Sequence, residues 1–575
     1  MVRKKRKKQS GLVRIIGTVV FVLLILGLLG GYFLLQRYSY GKERADISDW
    51  FEAGDASSFP MIINGVNVEK KARSFDGAYY LSLEDVHEYV STRFYYGEAD
   101  QIFVYSTPDA VITNPVGTGE YTSTVAGSNT MEHAISRTEG DTLYVLIDYL
   151  KLYYDISFEA YTEPNRMTVH IDTWQAETAQ VNHDTWLRHR GGIKSDILID
   201  LKEEDRVIIL EDEDEDWIKV RSEDGFAGYV EKKRLGEHTT YTYGADTLQE
   251  PVYTNITKPY RISIGWHQIY AEAGNDTLSE VTSQVKSLNT ISPTWFALSD
   301  NEGSISSIGS ADYVQRAHAM GMEVWALVSN FANEGIDSKA VLSRAASRAR
   351  LTDNLIAETK RLGCDGINVD FEDLPENAGQ DFIQFIRELS IACRREQLVL
   401  SIDNYPPYNF RAYYDHREQG IVADYVIIMG YDEHTGGSEE AGSVSSIEYT
   451  RFGIEATCDL VPPEKVINAV PFYTRIWTTS GGAVTDCPAV GMDAARENCT
   501  MYGITPSWDA ETEQNYGETT TSDGSLVQIW MEDSESIEAK IAVMESNGLA
   551  GIGFWRLGLE SPDVWDVIAA YVNGR

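Results

Sequence analysis

The run Cys364-Asp365-Gly366-Ile367-Asn368-Val369-Asp370-Phe371-Glu372 alternates polar with apolar side chains. A β-strand sends successive side chains to opposite faces. Asn368, Asp370 and Glu372 therefore share one face, and Ile367, Val369 and Phe371 share the other. Carboxyl groups stacked on one buried face are costly to ionise together, and each raises its neighbour's pKa. Glu372, the last of the three, is expected to keep a proton near neutral pH and to act as a general acid. Asp370 is expected to hydrogen-bond to Glu372 and to take up charge as that proton leaves. Asn368 would hydrogen-bond to Asp370 without adding charge. The same three residues could ligate a divalent ion, but a single strand offers few ligands and no His lies nearby. Chemistry without metal or cofactor is the expectation.

These side chains need a frame. From Tyr260 onward, candidate strands at Arg261–Trp266, Ile291–Leu298, Glu323–Val328, Gly366–Glu372, Val399–Asp403, Tyr425–Tyr431, Val466–Phe472 and Gly551–Arg556 alternate with amphipathic helical stretches. Val341–Leu362 and Gly379–Arg395 are the clearest helices. Eight such units predict an α/β fold, a (β/α)8 TIM barrel over residues 259–575. An insertion from 474 to about 528 would separate strands seven and eight. The apolar face of strand four then packs on helices, and the polar face climbs to the C-terminal rim, where barrels of this type hold their sites.

The N-terminus has another character. Arg3, Lys4, Lys5, Arg6, Lys7 and Lys8 form a basic cluster, and Ile15–Leu35 is 21 residues without a charge. As a helix that run spans about 31 Å, close to the hydrocarbon thickness of a bilayer. Residues 1–14 read as a cytoplasmic tail and 15–36 as a transmembrane helix, with the rest of the chain outside the cell. A cleaved signal peptide is the alternative. The run is long for one, and Arg37–Ala45 holds no small-x-small site. The chain carries a formal charge of −39, although its first fourteen residues hold only basic charges. So acidic a body repels nucleic acid and anionic lipid, and its simplest use is solubility. The five cysteines lack CxxC spacing, which disfavours a zinc ribbon. Cys487 and Cys499 are close enough in sequence for one local disulfide.

Between anchor and barrel, residues 37–59 read as a polar stalk. Ile62-Ile63-Asn64-Gly65-Val66 is a hairpin signal. Strand-like runs follow at Ala78–Leu83, Gln101–Tyr105, Thr142–Ile147 and Arg166–Ile171. Residues 60–174 resemble the small α+β domain shared with the N-terminal region of copper amine oxidases. That resemblance implies a structural or wall-contacting module without copper chemistry. Residues 175–236 hold short strands at Val207–Leu210, Trp217–Arg221 and Phe226–Val230. The segment Asp224-Gly225-Phe226-Ala227-Gly228-Tyr229-Val230 resembles the closing strand of bacterial SH3-like β-barrel domains. Trp217 and Tyr229 would pack or line a groove, and the module is either a binder of cell-wall peptide or a plain spacer. The acidic run Glu211–Asp216 lacks the ligand spacing of a calcium loop and reads as a solvated hairpin tip. Residues 237–258 read as a linker.

The strand-four run resembles the DGxDxDxE signature of family 18 glycoside hydrolases, the chitinase-like enzymes, with Asn368 at the first inner acid. Three further motifs follow in order: Met429-Gly430-Tyr431-Asp432 on strand six, Pro471-Phe472-Tyr473-Thr474-Arg475 on strand seven, and Trp555 on strand eight. Trp530-Met531-Glu532-Asp533 resembles the spore-cortex and cell-wall lytic branch, which implies peptidoglycan-type substrates over crystalline chitin. The resemblance implies a retaining, substrate-assisted hydrolase of β-1,4 bonds in N-acetylglucosamine polymers. Glu372 would be the acid/base, Asp370 would orient the substrate's acetamide, and Tyr431 would hydrogen-bond to it. Asn368, Met429, Asp432, Arg475 and Trp555 would contact substrate, with Trp555 as the floor under a sugar ring. Asp432 and Arg475 could equally form a structural ion pair. Trp266, Trp295 and Trp325 fit barrel packing better, and Tyr405-Pro406-Pro407-Tyr408 is either a cleft wall or a rigid loop. Expected partners are the polysaccharide, the cell wall through the SH3-like module and the membrane through the first helix. The alternative function is a non-catalytic chitinase-like wall binder; the presence of Asp370 and Glu372 argues against it.

Overall fold

The structure is a computed structural model that describes residues 6–249 and 251–574. Arg3, Lys4 and Lys5 of the basic cluster lie outside the described residues. A helix at Arg6–Tyr38 contains an unburied apolar stretch, Leu12–Tyr38, with a mean hydropathy of 2.8. At 1.5 Å per residue this stretch reaches about 40 Å, enough to cross a bilayer.

The chain, this helix included, divides into two compact units, Met1–Thr92 with Glu132–Glu250, and Arg93–Met131 with Pro251–Arg575. The first unit holds two seven-stranded sheets. In one, Ser58–Ile63 runs parallel to Asn165–Ile171 and turns back antiparallel into Val66–Phe75. The turn is the expected Asn64-Gly65 pair, with both φ values positive at 47° and 77°. That geometry suits the twist of a two-residue hairpin. A Cβ on Gly65 would also sit 2.8 Å from Cη2 of Trp174. The second sheet encloses its own core of Leu187, Leu198, Val207, Ile218, Val220, Phe226 and Val230. Trp217 and Tyr229 pack against the Gly191 loop. Part of the expected linker belongs to this sheet: Thr239–Tyr243 pairs antiparallel with Trp174–Gln180.

Residues 93–131 depart from the expected 60–174 segment. They form a five-stranded meander that belongs to the second unit. Phe94, Phe103 and Tyr105 are buried, with Phe94 and Tyr105 stacked at 4.3 Å. Polar ties join the meander to the barrel helices. Gln384 Nε2 donates to Ser106 Oγ at 3.0 Å, and Arg93 Nε donates to Glu418 Oε1 at 2.9 Å.

The barrel has eight parallel strands: β1 Ile262–His267, β2 Thr290–Leu298, β3 Glu323–Ser329, β4 Gly366–Asp370, β5 Val399–Asn404, β6 Tyr425–Met429, β7 Val466–Pro471 and β8 Gly551–Trp555. Pairing runs in sequence order around the ring and closes between β8 and β1. Ile367, Val369 and Phe371 join the large core between strands and helices. A separate inner core holds Ile264, Trp266, Trp325, Leu327, Tyr425 and Ile427. Residues 255–258 are bound to the lower end of the barrel. The Ile256 N–H donates to Asp424 Oδ1 at 2.6 Å and the Lys258 N–H donates to Tyr425 Oη at 2.8 Å. The insertion between β7 and β8 is an antiparallel sheet with a helix at Met492–Tyr502. All five cysteines are free, so the local disulfide is not formed. Cys499 is buried against Met531 Sδ at 3.7 Å, while Cys487 Sγ donates to Gly436 O at 3.4 Å.

Candidate active site

The upper end of the barrel opens into a cavity of about 560 Å³, and Asp370, Glu372, Asp403, Tyr405, Met429, Tyr431, Asp432, Trp266 and Trp555 are among its walls. Glu372 and Tyr431 are there because β4 and β6 end just before them. The backbone at Glu372 is held by Asn330, which follows β3. The Glu372 N–H donates to Asn330 Oδ1, and Asn330 Nδ2 donates to Glu372 O, both at 2.8 Å. This reciprocal pair fixes where the carboxyl starts.

Three carboxyl groups converge. Burial above all, then Asp403 and Glu372, pushes Asp370 well above the usual carboxylate range. Burial pushes Asp403 up to about 8. Glu372 is also raised by burial, opposed by a hydrogen bond from Tyr405. Tyr405 Oη donates to Glu372 Oε2, and the Arg411 guanidinium lies 3.5 Å over the Tyr405 ring. Removing charge from water raises carboxyl pKa values, and neighbouring acids add to the effect. Perturbed acids clustered in a cleft are a mark of functional sites.

The expected polar ladder is rearranged. Asn368 does not serve Asp370. Its Oδ1 accepts from Trp266 Nε1 at 2.9 Å and Ser292 Oγ at 3.0 Å. Its Nδ2 donates to Asp403 Oδ1 at 2.8 Å and Ser401 Oγ at 3.1 Å. All four hydrogen-bonding positions of the amide are used, so it is a buried brace that cannot reach a ligand. Asp370 Oδ1 is left without a partner, and the carboxyl of Glu372 is taken by Tyr405. An orphaned buried oxygen is costly, and this one belongs to a residue lining an open cavity.

Tyr431 is enclosed by Asp403, Asp370, Tyr473 and Glu372, and burial holds its phenol proton well above the ordinary range. Gly430 precedes it because a Cβ there would lie 2.7 Å from Ala469 O. Asp432 takes a positive φ of 60° and accepts from Tyr473 Oη at 2.6 Å. Its expected partner Arg475 lies elsewhere, with Nη1 donating to Cys487 O at 3.0 Å in the insertion. Arg475 is neither the ion-pair partner of Asp432 nor a wall of the cavity. Trp555 tilts at 56° to Trp266, with centroids 6.1 Å apart. Exposed Tyr270 and Phe331 stand at the cavity mouth. Among the described residues no group of three or more His, Cys, Asp or Glu is placed to hold a metal ion.

Sequence reasoning does not single out Asp403 or Asn330, and Tyr473 enters it only within the strand-seven motif. A signal for Asp403 was present: alternation along Val399-Leu400-Ser401-Ile402-Asp403 puts Ser401 and Asp403 inward, beside Asn368 and Asp370.

Comparison with known proteins finds matches to the half of the chain that holds the barrel. Residues 333–560 match the family described as Glycosyl hydrolases family 18. A Bacillus subtilis (strain 168) protein named as a sporulation-specific glycosylase, YdhD, is 29% identical over 251 residues, covering 42% of this chain and 59% of that protein. The cortical fragment-lytic enzyme of the same organism is 27% identical over 260 residues, covering 43% and 59%. The chain thus spans about three-fifths of the length of these two relatives. A solved chitinase from Chromobacterium violaceum ATCC 12472 aligns over 55% of this chain and 100% of that one, at 22% identity and a TM-score of 0.49. Residues 333–560 are a family 18 glycosyl hydrolase domain.

Proposed function

We propose that the barrel hydrolyses β-1,4 bonds next to N-acetylglucosamine, with the substrate's own acetamide as nucleophile and Glu372 as acid and then base. The observation that carries this reading is the orphaned Asp370 Oδ1 in a cavity shared with a raised, mostly buried Glu372. An acetamide N–H supplies the missing partner. Glu372 protonates the glycosidic oxygen and that C–O bond breaks. The acetamide carbonyl oxygen bonds to the anomeric carbon, and Tyr431 donates to the acetamide. Asp370 stabilises the positive charge of the resulting oxazolinium. Water then attacks the anomeric carbon, the bond from the acetamide oxygen to that carbon breaks, and Glu372 takes a proton from the attacking water. The chemistry departs from the two-carboxylate scheme, because no protein oxygen becomes bonded to the sugar. Trp555 stacks beneath the sugar ring. Met429 and Asp432 contact substrate from the cavity wall.

The names of the two relatives favour a peptidoglycan-type polymer. The Leu12–Tyr38 helix anchors the chain in the cell membrane. The cationic residues before it favour a cytoplasmic N-terminus and an extracellular barrel. The SH3-like module at residues 175–236 contacts the wall, a reading that rests on the resemblance of its Asp224–Val230 run to the closing strand of bacterial SH3-like domains.

The test is incubation of the detergent-solubilised chain with N-acetylglucosamine oligomers and with purified peptidoglycan, products being read by mass spectrometry. Cleavage by the parent and none by Glu372→Gln is expected. Equal product from the variant would remove Glu372 from the chemistry. Tight binding without product in the parent would favour the non-catalytic wall binder.

A further inference from the structure

A second cavity of about 400 Å³ lies within the first unit, between its two sheets. One wall carries Ile62, Gly65, Phe158, Glu159, Thr168 and His170. The other carries Arg206, Arg221, Glu223, Tyr241 and Tyr243. The sheets are tightly joined beside it. Arg166 Nη2 donates to Asp224 Oδ2 at 2.7 Å, and a Cβ on Gly225 would sit 2.7 Å from Ile62 Cδ1. The cavity therefore has fixed walls.

Its charges are unevenly compensated. Arg166 is buried and paired with Asp224. Arg221, 7% exposed, has no ion-pair partner among the described residues. Its Nη1 donates to Asn67 Oδ1 at 2.7 Å and to Gly225 O at 3.1 Å, both neutral acceptors. Its Nε has no hydrogen-bond partner. The hydroxyl of Tyr243, 9% exposed, is also without one. The acids nearby are engaged. Glu223 pairs with Arg206 at 3.4 Å, and exposed Glu159 accepts from Tyr161 Oη. Burying a guanidinium without a counter-charge is strongly unfavourable, and a carboxylate is the planar anion its fork matches. Beside it, Tyr243 stacks on Trp174 at 4.7 Å and on His170 at 5.4 Å. This aromatic platform suits the apolar body of a small ligand.

We infer that this cavity binds a ligand bearing a free carboxylate, held by Arg221 and Tyr243 against the aromatic stack. Two sources supply that chemistry, a peptide C-terminus and an acidic sugar. The full chain in detergent is titrated with N-acetylalanine, with glucuronic acid and with the neutral N-acetylalanine amide, and binding is followed by ligand-observed NMR. At least one of the acids should bind saturably and the amide should not, and the acid that binds identifies the source. Tyr243→Phe keeps the ring and removes only the hydroxyl; it should weaken that acid about tenfold. Arg221→Gln should abolish binding. Arg221→Lys keeps the charge and loses the fork, so it serves if the glutamine variant does not fold. Binding of the amide as tightly as the acids, or no saturable binding of either acid, overturns the inference. So does unchanged affinity in all three variants.

Discussion

Tyr405→Phe isolates one contact at the proposed acid. The ring stays, so the Arg411 guanidinium keeps its seat at 3.5 Å, and only the hydroxyl that donates to Glu372 Oε2 is lost. That hydrogen bond favours the ionised carboxyl and opposes the upward push of burial. Hydrogen bonds to charged groups contribute about 1.5–3 kcal/mol. Glu372 retains some solvent contact, so the low end applies, equivalent to about one pH unit. The acid must be protonated to act, so activity falls as pH rises through its pKa. Losing the bond raises that pKa, and the alkaline limb of kcat/KM moves about one unit upward. The assay is the pH profile of oligosaccharide cleavage, whose kcat/KM limbs report free-enzyme groups. An active variant whose alkaline limb stays put or moves down would refute the role assigned to Tyr405 and the assignment of that limb to Glu372.

Asp403 holds its proton to about 8 in the folded chain, against about 3.9 in an unfolded one. The folded state then binds more protons between these values, so its contribution to stability falls as pH rises across that window. Asp403→Asn should flatten this slope and gain stability relative to the parent at pH 8, as read by urea unfolding at pH 5 and pH 8. The fully buried Glu532–Lys540 pair, 2.9 Å apart, predicts that Lys540→Met strands a carboxylate and costs about 3 kcal/mol. The double variant with Glu532→Gln should recover part of that loss in the same unfolding assay. Asn330→Ala removes both clamps on the Glu372 backbone; it should lower kcat more than it raises KM.

Much of the frame was readable because a barrel repeats one simple pattern. All eight strands coincide with apolar runs, each within a residue or two. The errors at their upper ends have one cause. Side-chain alternation continues through Phe371-Glu372 and Gly430-Tyr431, whereas the strands end at Asp370 and Met429. Alternation puts Asn368 on the correct face, but its carboxylate partner comes from the adjacent strand, and only the register between β4 and β5 reveals that. Arg475 follows β7 directly in sequence, yet it belongs to a strand, Tyr473–Ser480, that pairs within the insertion. A motif cannot say which sheet its last residue joins. Similarly, nothing local in Arg93–Met131 marks the meander as packing with residues about three hundred positions away. The twelve-residue spacing of Cys487 and Cys499 permitted a disulfide, but the helix at Met492–Tyr502 turns Cys499 toward Met531.

The anomer formed first from a β-linked N-acetylglucosamine oligomer, followed by proton NMR before mutarotation, bears most directly on substrate-assisted cleavage at Glu372. Substrate-assisted cleavage gives β-anomer first and no turnover of the matching oligomer stripped of its acetyl groups. An α-anomer first, or equal cleavage of the deacetylated oligomer, would contradict it.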